Sequence, residues 1–318
     1  MTTGDAVALF LLGYFGINQR SAKTKSAYTI DLTQFRDFIG TESLLESVAP
    51  QNLEAWAAQL QAKPYGIASI RRKIASARVF FSYWVRRGTL STSPLWKLRF
   101  TLGRTRVLPR SLSAADSELL IREAWRRYKI TCTPQAKQTM AHVLASRDLA
   151  IVESLFATGV RVGELSKLNL PDWLSVDSSF LVHGKGGRER LSFLPDDRSV
   201  SALSAYLVLR PKLGGTSEAL FLNSCGQRLS EQGIALSLAR IAEDAKIAKR
   251  VTPHMIRHTV ATLLLRYGAD LRIVQEVLGH ASIATTQRYV HVAKDHLLTT
   301  LRSRHPNFHL RIDVECLA

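Results

Sequence analysis

Apolar residues recur at helical spacing through the first third of the chain. The stretches Ser21–Ile39, Leu53–Leu60 and Ser69–Arg87 each place apolar side chains three or four positions apart, which is the spacing of one helix face. Proline and glycine residues separate these stretches and punctuate the pattern. We therefore predict a small helical bundle over residues 5–97.

One apolar stretch, Ala6–Ile17, precedes that bundle. It contains Gly13 and Gly16 and falls short of the roughly 20 residues that span a bilayer. Asp5 stands before it and no basic segment does, so the pattern is not that of a signal peptide. We expect a buried helix here and no membrane association.

The periodicity is lost between Phe100 and Leu112, in FTLGRTRVLPRSL, which is typical of an interdomain linker. We predict an N-terminal domain over residues 1–99, a linker over 100–112, a second domain over 113–306 and a tail over 307–318.

Helical patterns dominate the second domain as well. Ser113 is a favourable N-cap for a helix running to Arg127. The exception is Phe180–Pro195, where two short arms flank a glycine-rich turn and predict a β-hairpin. Near the C-terminus, 294–304 reads as an amphipathic helix and 310–316 alternates like a half-buried strand. The fold class we expect is mainly α with a small sheet.

The chain carries 43 Lys and Arg against 26 Asp and Glu, a net charge of +17 and a pI near 10.2. This balance favours a polyanionic partner, nucleic acid before an anionic membrane surface. A single basic helix is more often a solvated face, but the charge of the whole chain favours DNA contact. Candidate DNA-binding residues are Arg71, Arg72 and Lys73 in one helix and Arg104 and Arg106 in the linker.

The three cysteines, Cys132, Cys225 and Cys316, are odd in number and far apart. This spacing predicts neither a disulfide framework nor a zinc site. A reducing cytoplasm is the expected location.

Two candidate sites for chemistry lie in the middle of the chain. In ATGVRVGEL, Thr158 and Gly159 end one helix, and Arg161 and Glu164 open the next and share a face. Lys185 lies in the glycine turn of the predicted hairpin, which lacks the nucleotide-binding GxxxxGK[ST] pattern. Each feature alone is more often structural.

Two more follow towards the C-terminus. His254 and Arg257 lie one turn apart after Pro253, a residue suited to the start of a helix. His280 follows the predicted C-cap Gly279, and Tyr289 falls in the helix after it.

The ordered set closely resembles the active-site signature of the tyrosine recombinases, or phage integrase family. It comprises Arg161, Lys185, the HxxR at 254–257, the LGH at 278–280, and Tyr289 nine residues after His280. The resemblance is strongest from about 147 to 296, and TKSAYTIDLTQFRDF in the first domain resembles the family's core-binding domain. It implies a two-domain, C-shaped DNA clamp, with a SAM-like helical bundle followed by a mixed α/β catalytic domain.

The resemblance also implies a role for each residue. Arg161 and Arg257 would bind the scissile phosphate through their planar forks, His280 would donate to it, and Glu164 would orient Arg161. Tyr289 would be the nucleophile, His254 would exchange its proton, and Lys185 would protonate the leaving 5′-hydroxyl. No metal, cofactor or ATP would be needed.

The implied partners are a double-stranded recombination site and further copies of the chain, as a dimer on one site and a tetramer in the synapse. A second recombinase or an accessory DNA-binding protein would fit as well. The task would be integration or excision of a mobile element, or resolution of a plasmid or chromosome dimer. The tail, 307–318, would pack on a neighbouring protomer or on its own domain. A relaxing enzyme of the type IB topoisomerase class and a non-cleaving DNA-binding relative are the alternatives.

Overall fold

The computed structural model describes residues 1–18, 22–96, 98, 111–136, 139–184, 188–279, 301 and 303–309. The chain divides into two compact units, Met1–Val107 and Leu108–Ala318. Of the predicted linker, only residues 111 and 112 are described, so the linker and the clamp arrangement stay predictions.

The first unit is the helical bundle that the apolar pattern predicts. Its helices are α1 (Thr3–Ile17), α2 (Ala22–Ile39), α3 (Pro50–Ala62) and α4 (Ile67–Arg86), with a 3-10 turn at Leu45–Ser47. Its core is aromatic, because large rings from all four of these helices meet there. The fully buried rings are Phe10, Phe35, Trp56, Phe80 and Phe81.

The expectation that α1 is a buried helix is wrong. Ala6, Val7 and Phe10 are buried, but Leu12 and Ile17 are largely exposed. The helix is apolar on all sides, and only one side packs against α2 and α4. Within the described ranges, no helix combines the length and apolarity needed to cross a bilayer.

A buried carboxylate joins α2 to α4. Asp31 is fully buried and accepts hydrogen bonds from Lys73 Nζ at 3.0 Å, Ser76 Oγ at 3.0 Å and Arg72 Nη1 at 2.5 Å. Buried charges persist when they are paired and hydrogen-bonded in this way. Asp31 thereby fixes the rotation of α4 about its own axis relative to α2.

The second unit is built around one buried helix. Its helices are α5 (Ala114–Ile130), α6 (Met140–Thr158), α7 (Val162–Leu165), α8 (Asp197–Leu209), α9 (Glu231–Asp244), α10 (Pro253–Arg266) and α11 (Leu271–Leu278). Helix α6 packs against α5, α8, α9 and α10. Its second half, 149–158, is buried on every side, so the loop that follows it starts from a rigid position.

A three-stranded antiparallel sheet completes this unit and confirms the predicted hairpin. The strands are β1 (Trp173–Leu174), β2 (Ser179–His183) and β3 (Glu189–Phe193), in the order β1-β2-β3. The register pairs Val182 with Arg190 and His183 with Glu189. The mainly α fold with a small sheet is therefore confirmed.

A short C-terminal segment lies on its own unit. Residues 306–308 form a 3-10 turn, and Asn307 Nδ2 donates to Asp196 Oδ2 at 2.5 Å. His305 is fully buried. The predicted strand, 310–316, lies outside the described residues, so its packing on a neighbouring protomer stays a prediction.

Candidate active site

The turn after α6 places Arg161. Gly159 ends the helix with φ +58°, a left-handed conformation that favours glycine. A Cβ atom on Gly159 would lie 2.6 Å from Leu278 Cδ2, so α11 also requires the glycine. Arg161 then adopts an extended backbone as the N-cap of α7.

Arg161 and Glu164 meet, but by a different geometry from the one that the sequence predicts. Arg161 precedes the helix and does not share a face of it. Glu164 Oε2 accepts from the backbone N–H of Arg161 at 3.1 Å, and Oε1 accepts from Nη1 at 2.8 Å. The Glu164 carboxylate therefore holds both the backbone and the guanidinium of Arg161.

Sequence reasoning missed Arg190 on β3. Its Nη2 donates to Glu164 Oε2 at 2.7 Å and its Nη1 to Oε1 at 3.3 Å. Burial raises the pKa of Glu164, but the hydrogen bonds and charges of Arg190 and Arg161 outweigh it and hold that pKa below its ordinary value. The carboxylate is therefore ionised at neutral pH.

Arg257 enters the same site from the first turns of α10. Thr252 caps that helix and Pro253 is its first residue, as the sequence predicts. Arg257 is 8% exposed, and its Nη1 and Nη2 donate to Gly159 O at 2.8 Å and Leu278 O at 2.6 Å. Burial, and then the charge of Arg161, lower its pKa to about 10, well below the ordinary value of an arginine.

His254 is exposed, one helical turn before Arg257. The other three predicted catalytic residues, Lys185, His280 and Tyr289, lie outside the described residues. The described residue before His280 does lie at the site. Gly279, which precedes His280, adopts φ +63°, and its carbonyl oxygen is 3.4 Å from both Nη1 and Nη2 of Arg161.

The site therefore combines three guanidinium groups and one carboxylate. Arg161, Arg190 and Arg257 carry three positive charges against the single negative charge of Glu164. A planar guanidinium binds two oxygens of a phosphate at once, so the cluster is suited to an oxyanion. Within the described ranges, no group of three or more His, Cys, Asp or Glu side chains is arranged to hold a metal ion.

A second basic surface lies on α4. Arg71, Arg78 and Arg86 line a shallow groove together with Ile74 and Val79. The sequence predicts DNA contacts by Arg71, Arg72 and Lys73, and in the structure these three side chains differ in exposure and in partners. Arg72 is 45% exposed and paired with Asp31. Lys73 is 3% exposed with its ammonium held by Asp31 and Gln34. We therefore do not retain Lys73 as a DNA contact; Arg104 and Arg106 lie outside the described residues.

Two family models match the chain. The model described as the phage integrase family matches residues 132–296, and the one described as phage integrase, N-terminal SAM-like domain, matches residues 7–88. Each match falls within one of the two units.

Curated relatives match nearly the whole chain. Tyrosine recombinase XerC of Pelobacter propionicus is 36% identical over 291 residues, covering 90% of this chain and 90% of the relative. Tyrosine recombinase XerC of Listeria innocua is 32% identical over 293 residues, covering 90% and 92%.

Solved structures share the fold at lower identity. A lambda integrase (75–356) dimer bound to a COC′ core site has a TM-score of 0.66 at 16% identity, covering 91% of this chain and 100% of that one. The XerH recombinase in a post-cleavage complex with palindromic difH has a TM-score of 0.67 at 22% identity, covering 86% and 78%.

Proposed function

The chain belongs to the phage integrase family, as a tyrosine-type site-specific recombinase, and from this premise we propose that it cleaves and rejoins double-stranded DNA through a 3′-phosphotyrosyl bond to Tyr289. The observation that carries the proposal is the convergence of Arg161 and Arg257 on one site. These residues lie 96 positions apart in the sequence, yet Arg257 donates to the carbonyl oxygen of Leu278 and Arg161 to that of the adjacent Gly279.

The first requirement is stabilisation of the phosphate. A phosphodiester carries one negative charge and gains more in its pentavalent transition state. Arg161 has an exposed side chain whose Nη1 donates to Glu164, and the Gly279 carbonyl oxygen lies at a longer 3.4 Å from Nη1 and Nη2. Its Nε and Nη2 groups can therefore donate to phosphate oxygens. Arg257 is held in place by two carbonyl groups. Donors that are fixed before the charge develops stabilise a transition state most effectively.

The second requirement is a nucleophile. Tyr289 attacks the phosphorus, the bond between phosphorus and the 5′ oxygen breaks, and a 3′-phosphotyrosyl bond forms. A phenol has a pKa near 10, so it needs a base at neutral pH. His254 takes this proton, because its exposed imidazole has a ring nitrogen that can accept a proton and later return it. Lys185 protonates the leaving 5′-hydroxyl.

The covalent bond conserves the energy of the broken one. A 5′-hydroxyl from another duplex can therefore attack the phosphotyrosine and exchange strands, and no ATP is consumed. Rejoining is the reverse of the cleavage step, so the same residues serve both.

The groove on α4 supplies part of the DNA grip in this proposal. Its arginines meet backbone phosphates, which supply affinity without sequence preference. Two related structures show lambda integrase, as a dimer bound to a core site and as a tetramer bound to a Holliday junction. We extend this assembly to the present chain, which acts as a dimer on each site and a tetramer in the synapse.

A nicked duplex tests the proposal. The duplex is first selected for binding from a random-sequence pool, and a nick beside the scissile phosphate then lets the short 5′-hydroxyl strand diffuse away. We expect a covalent complex that survives denaturation and forms without metal or ATP. A chain that binds the duplex but gives no covalent complex would be a non-cleaving relative.

A supercoiled plasmid with two copies of the selected site separates the remaining possibilities. Site-specific recombination predicts inverted or deleted products. Relaxed circles without such products would indicate a topoisomerase. Products from direct repeats and from two separate plasmids then distinguish resolution from integration.

A further inference from the structure

Arg190 and Arg161 both pair with Glu164. The negative charge of Glu164 has an unfavourable electrostatic effect at a site that binds a phosphate. The carboxylate fixes Arg161 at 2.8 Å, but at that distance its negative charge also offsets the positive charge that Arg161 would offer to a phosphate. An ionised carboxylate beside the phosphate would oppose the charge that develops in the transition state. The cluster therefore needs a counter-ion for Glu164 other than Arg161.

Arg190 has the geometry of that counter-ion. Both of its terminal nitrogens donate to the two oxygens of Glu164, which is the bidentate arrangement of a strong ion pair. Its side chain is 18% exposed, compared with 41% for Arg161. Its donors therefore face the carboxylate, and Arg161 retains the exposed ones.

Arg190 also contacts the turn before the predicted His280. A Cβ atom built on Gly279 would lie 2.6 Å from Arg190 Nε and 2.7 Å from Cζ. The guanidinium plane thus lies against Gly279, where only a glycine fits. Within the described ranges, Nε is buried and has no hydrogen-bond partner, so contact with Gly279 and the pair with Glu164 account for its placement.

We propose that Arg190 is a positioning residue of the strand-cleavage site: it neutralises Glu164, so that Glu164 can orient Arg161 without reducing the positive charge available to the scissile phosphate. This inference rests on the proposed function. The proposal concerns the net charge of the four side chains that form the site. Three arginines and one carboxylate give a net charge of +2, and loss of Arg190 leaves +1.

The decisive comparison is between Arg190→Gln and the double variant Arg190→Gln with Glu164→Gln. The single variant leaves the carboxylate uncompensated beside Arg161, and we expect cleavage of the nicked duplex to slow by about 10- to 100-fold. The double variant removes both charges and returns the net charge to +2. It should cleave about 10-fold faster than Arg190→Gln alone.

This recovery separates positioning from simple structural support. If Arg190 only held the fold together, deleting its partner as well would leave cleavage as slow or slower. Arg190→Lys provides a second variant in case Arg190→Gln folds poorly. It keeps the charge but loses the fork, and its rate should lie between those of the wild type and Arg190→Gln. Thermal unfolding is measured on every variant.

DNA affinity provides the second readout. Arg190 does not face the duplex in this account, so the dissociation constant should change by less than about threefold in each variant. The control, Arg240→Gln, removes an exposed charge from α9 and should cleave at the wild-type rate. Wild-type cleavage by Arg190→Gln, or a double variant no faster than the single one, would overturn the inference. Absence of cleavage by the wild type would instead refute the proposed function.

Discussion

Replacement of Arg257 by lysine keeps a positive charge but removes the planar fork. In the wild type, Nη1 and Nη2 each donate to a carbonyl oxygen, of Gly159 and of Leu278. One ammonium group is a point donor on a shorter side chain and cannot reproduce this planar geometry. The variant therefore loses orientation at the phosphate as well as one contact to the protein.

The magnitude follows from two effects. Loss of one fixed donor to a transition-state oxyanion slows reactions by about 100- to 1,000-fold. Burial and the charge of Arg161 lower the pKa of Arg257 to about 10, well below the ordinary value of an arginine. The same burial and the charge of Arg161 would lower the pKa of a lysine at this position below its ordinary value, which is already below that of arginine. The lysine would then lose its charge at a pH where Arg257 keeps its own.

The assay is the rate of covalent complex formation with the nicked duplex between pH 7 and pH 9. At pH 7 we expect Arg257→Lys to be about 100- to 1,000-fold slower than the wild type. From pH 7 to pH 9 the ratio of variant to wild-type rate should fall further, because the lysine deprotonates at a lower pH than the arginine. Use of the ratio removes the pH dependence that both proteins share.

The control is Arg266→Lys, an exposed position near the end of the same helix. It should match the wild type at every pH. Near wild-type cleavage by Arg257→Lys, or a rate ratio that does not change with pH, would refute the assignment of Arg257 to the phosphate.

Three further predictions address stability and DNA binding. Asp31→Asn leaves the ammonium of Lys73 buried without its counter-ion and should lower the free energy of unfolding by about 3–5 kcal/mol in urea titration. Asp37→Asn at an exposed pair should cost at most about 1 kcal/mol; equal effects would contradict the role of Asp31 in joining α2 to α4. Burial lowers the pKa of His305 to about 4, so native His305 stays neutral while the unfolded chain gains a proton below about pH 6.5. The free energy of unfolding should therefore fall by about 2 kcal/mol from pH 7 to pH 5, and the His305→Leu variant should lack that part of the pH dependence. Arg78→Gln in the α4 groove should weaken DNA binding and reduce the slope of log affinity against log salt by about 0.9; an unchanged slope would show that Arg78 does not meet a phosphate.

The helices and the hairpin could be predicted because their signals are local. Apolar spacing identifies α2, α3 and α4, and the glycine turn after β2 marks the hairpin. Helix α1 shows the limit of this reasoning, since a segment that is apolar on all sides does not reveal which side is covered. The side of α1 that is buried is the side that packs against α2 and α4, and this tertiary packing cannot be predicted from the local sequence of α1.

The basic residues of α4 show the same limit. Arg71, Arg72 and Lys73 are adjacent in sequence, and their charge alone gives no reason to separate them. The separation comes from Asp31, which lies 41 and 42 residues before Arg72 and Lys73 and pairs with both. Arg71 then shares its groove with Arg78 and Arg86.

The order of the signature residues along the chain predicts which residues form the catalytic site. It does not predict which other side chains contact them. Arg190 was missed because its role depends on the approach of β3 to α7, which no local pattern encodes. A retrospective signal exists: Arg190 lies five residues after Lys185 in the sequence, on the hairpin strand that follows the glycine turn. The outcome for Arg161 is similar, because its pairing with Glu164 was expected but its N-cap position was not.

The most direct test of the central claim is identification of the residue that becomes linked to DNA. The trapped complex is digested with protease and nuclease, and the peptide that retains a nucleotide is sequenced by mass spectrometry. The account predicts a phosphotyrosyl bond at Tyr289, no trapping by Tyr289→Phe, and normal trapping by Tyr267→Phe. A bond to any other residue, or undiminished trapping by Tyr289→Phe, would contradict it.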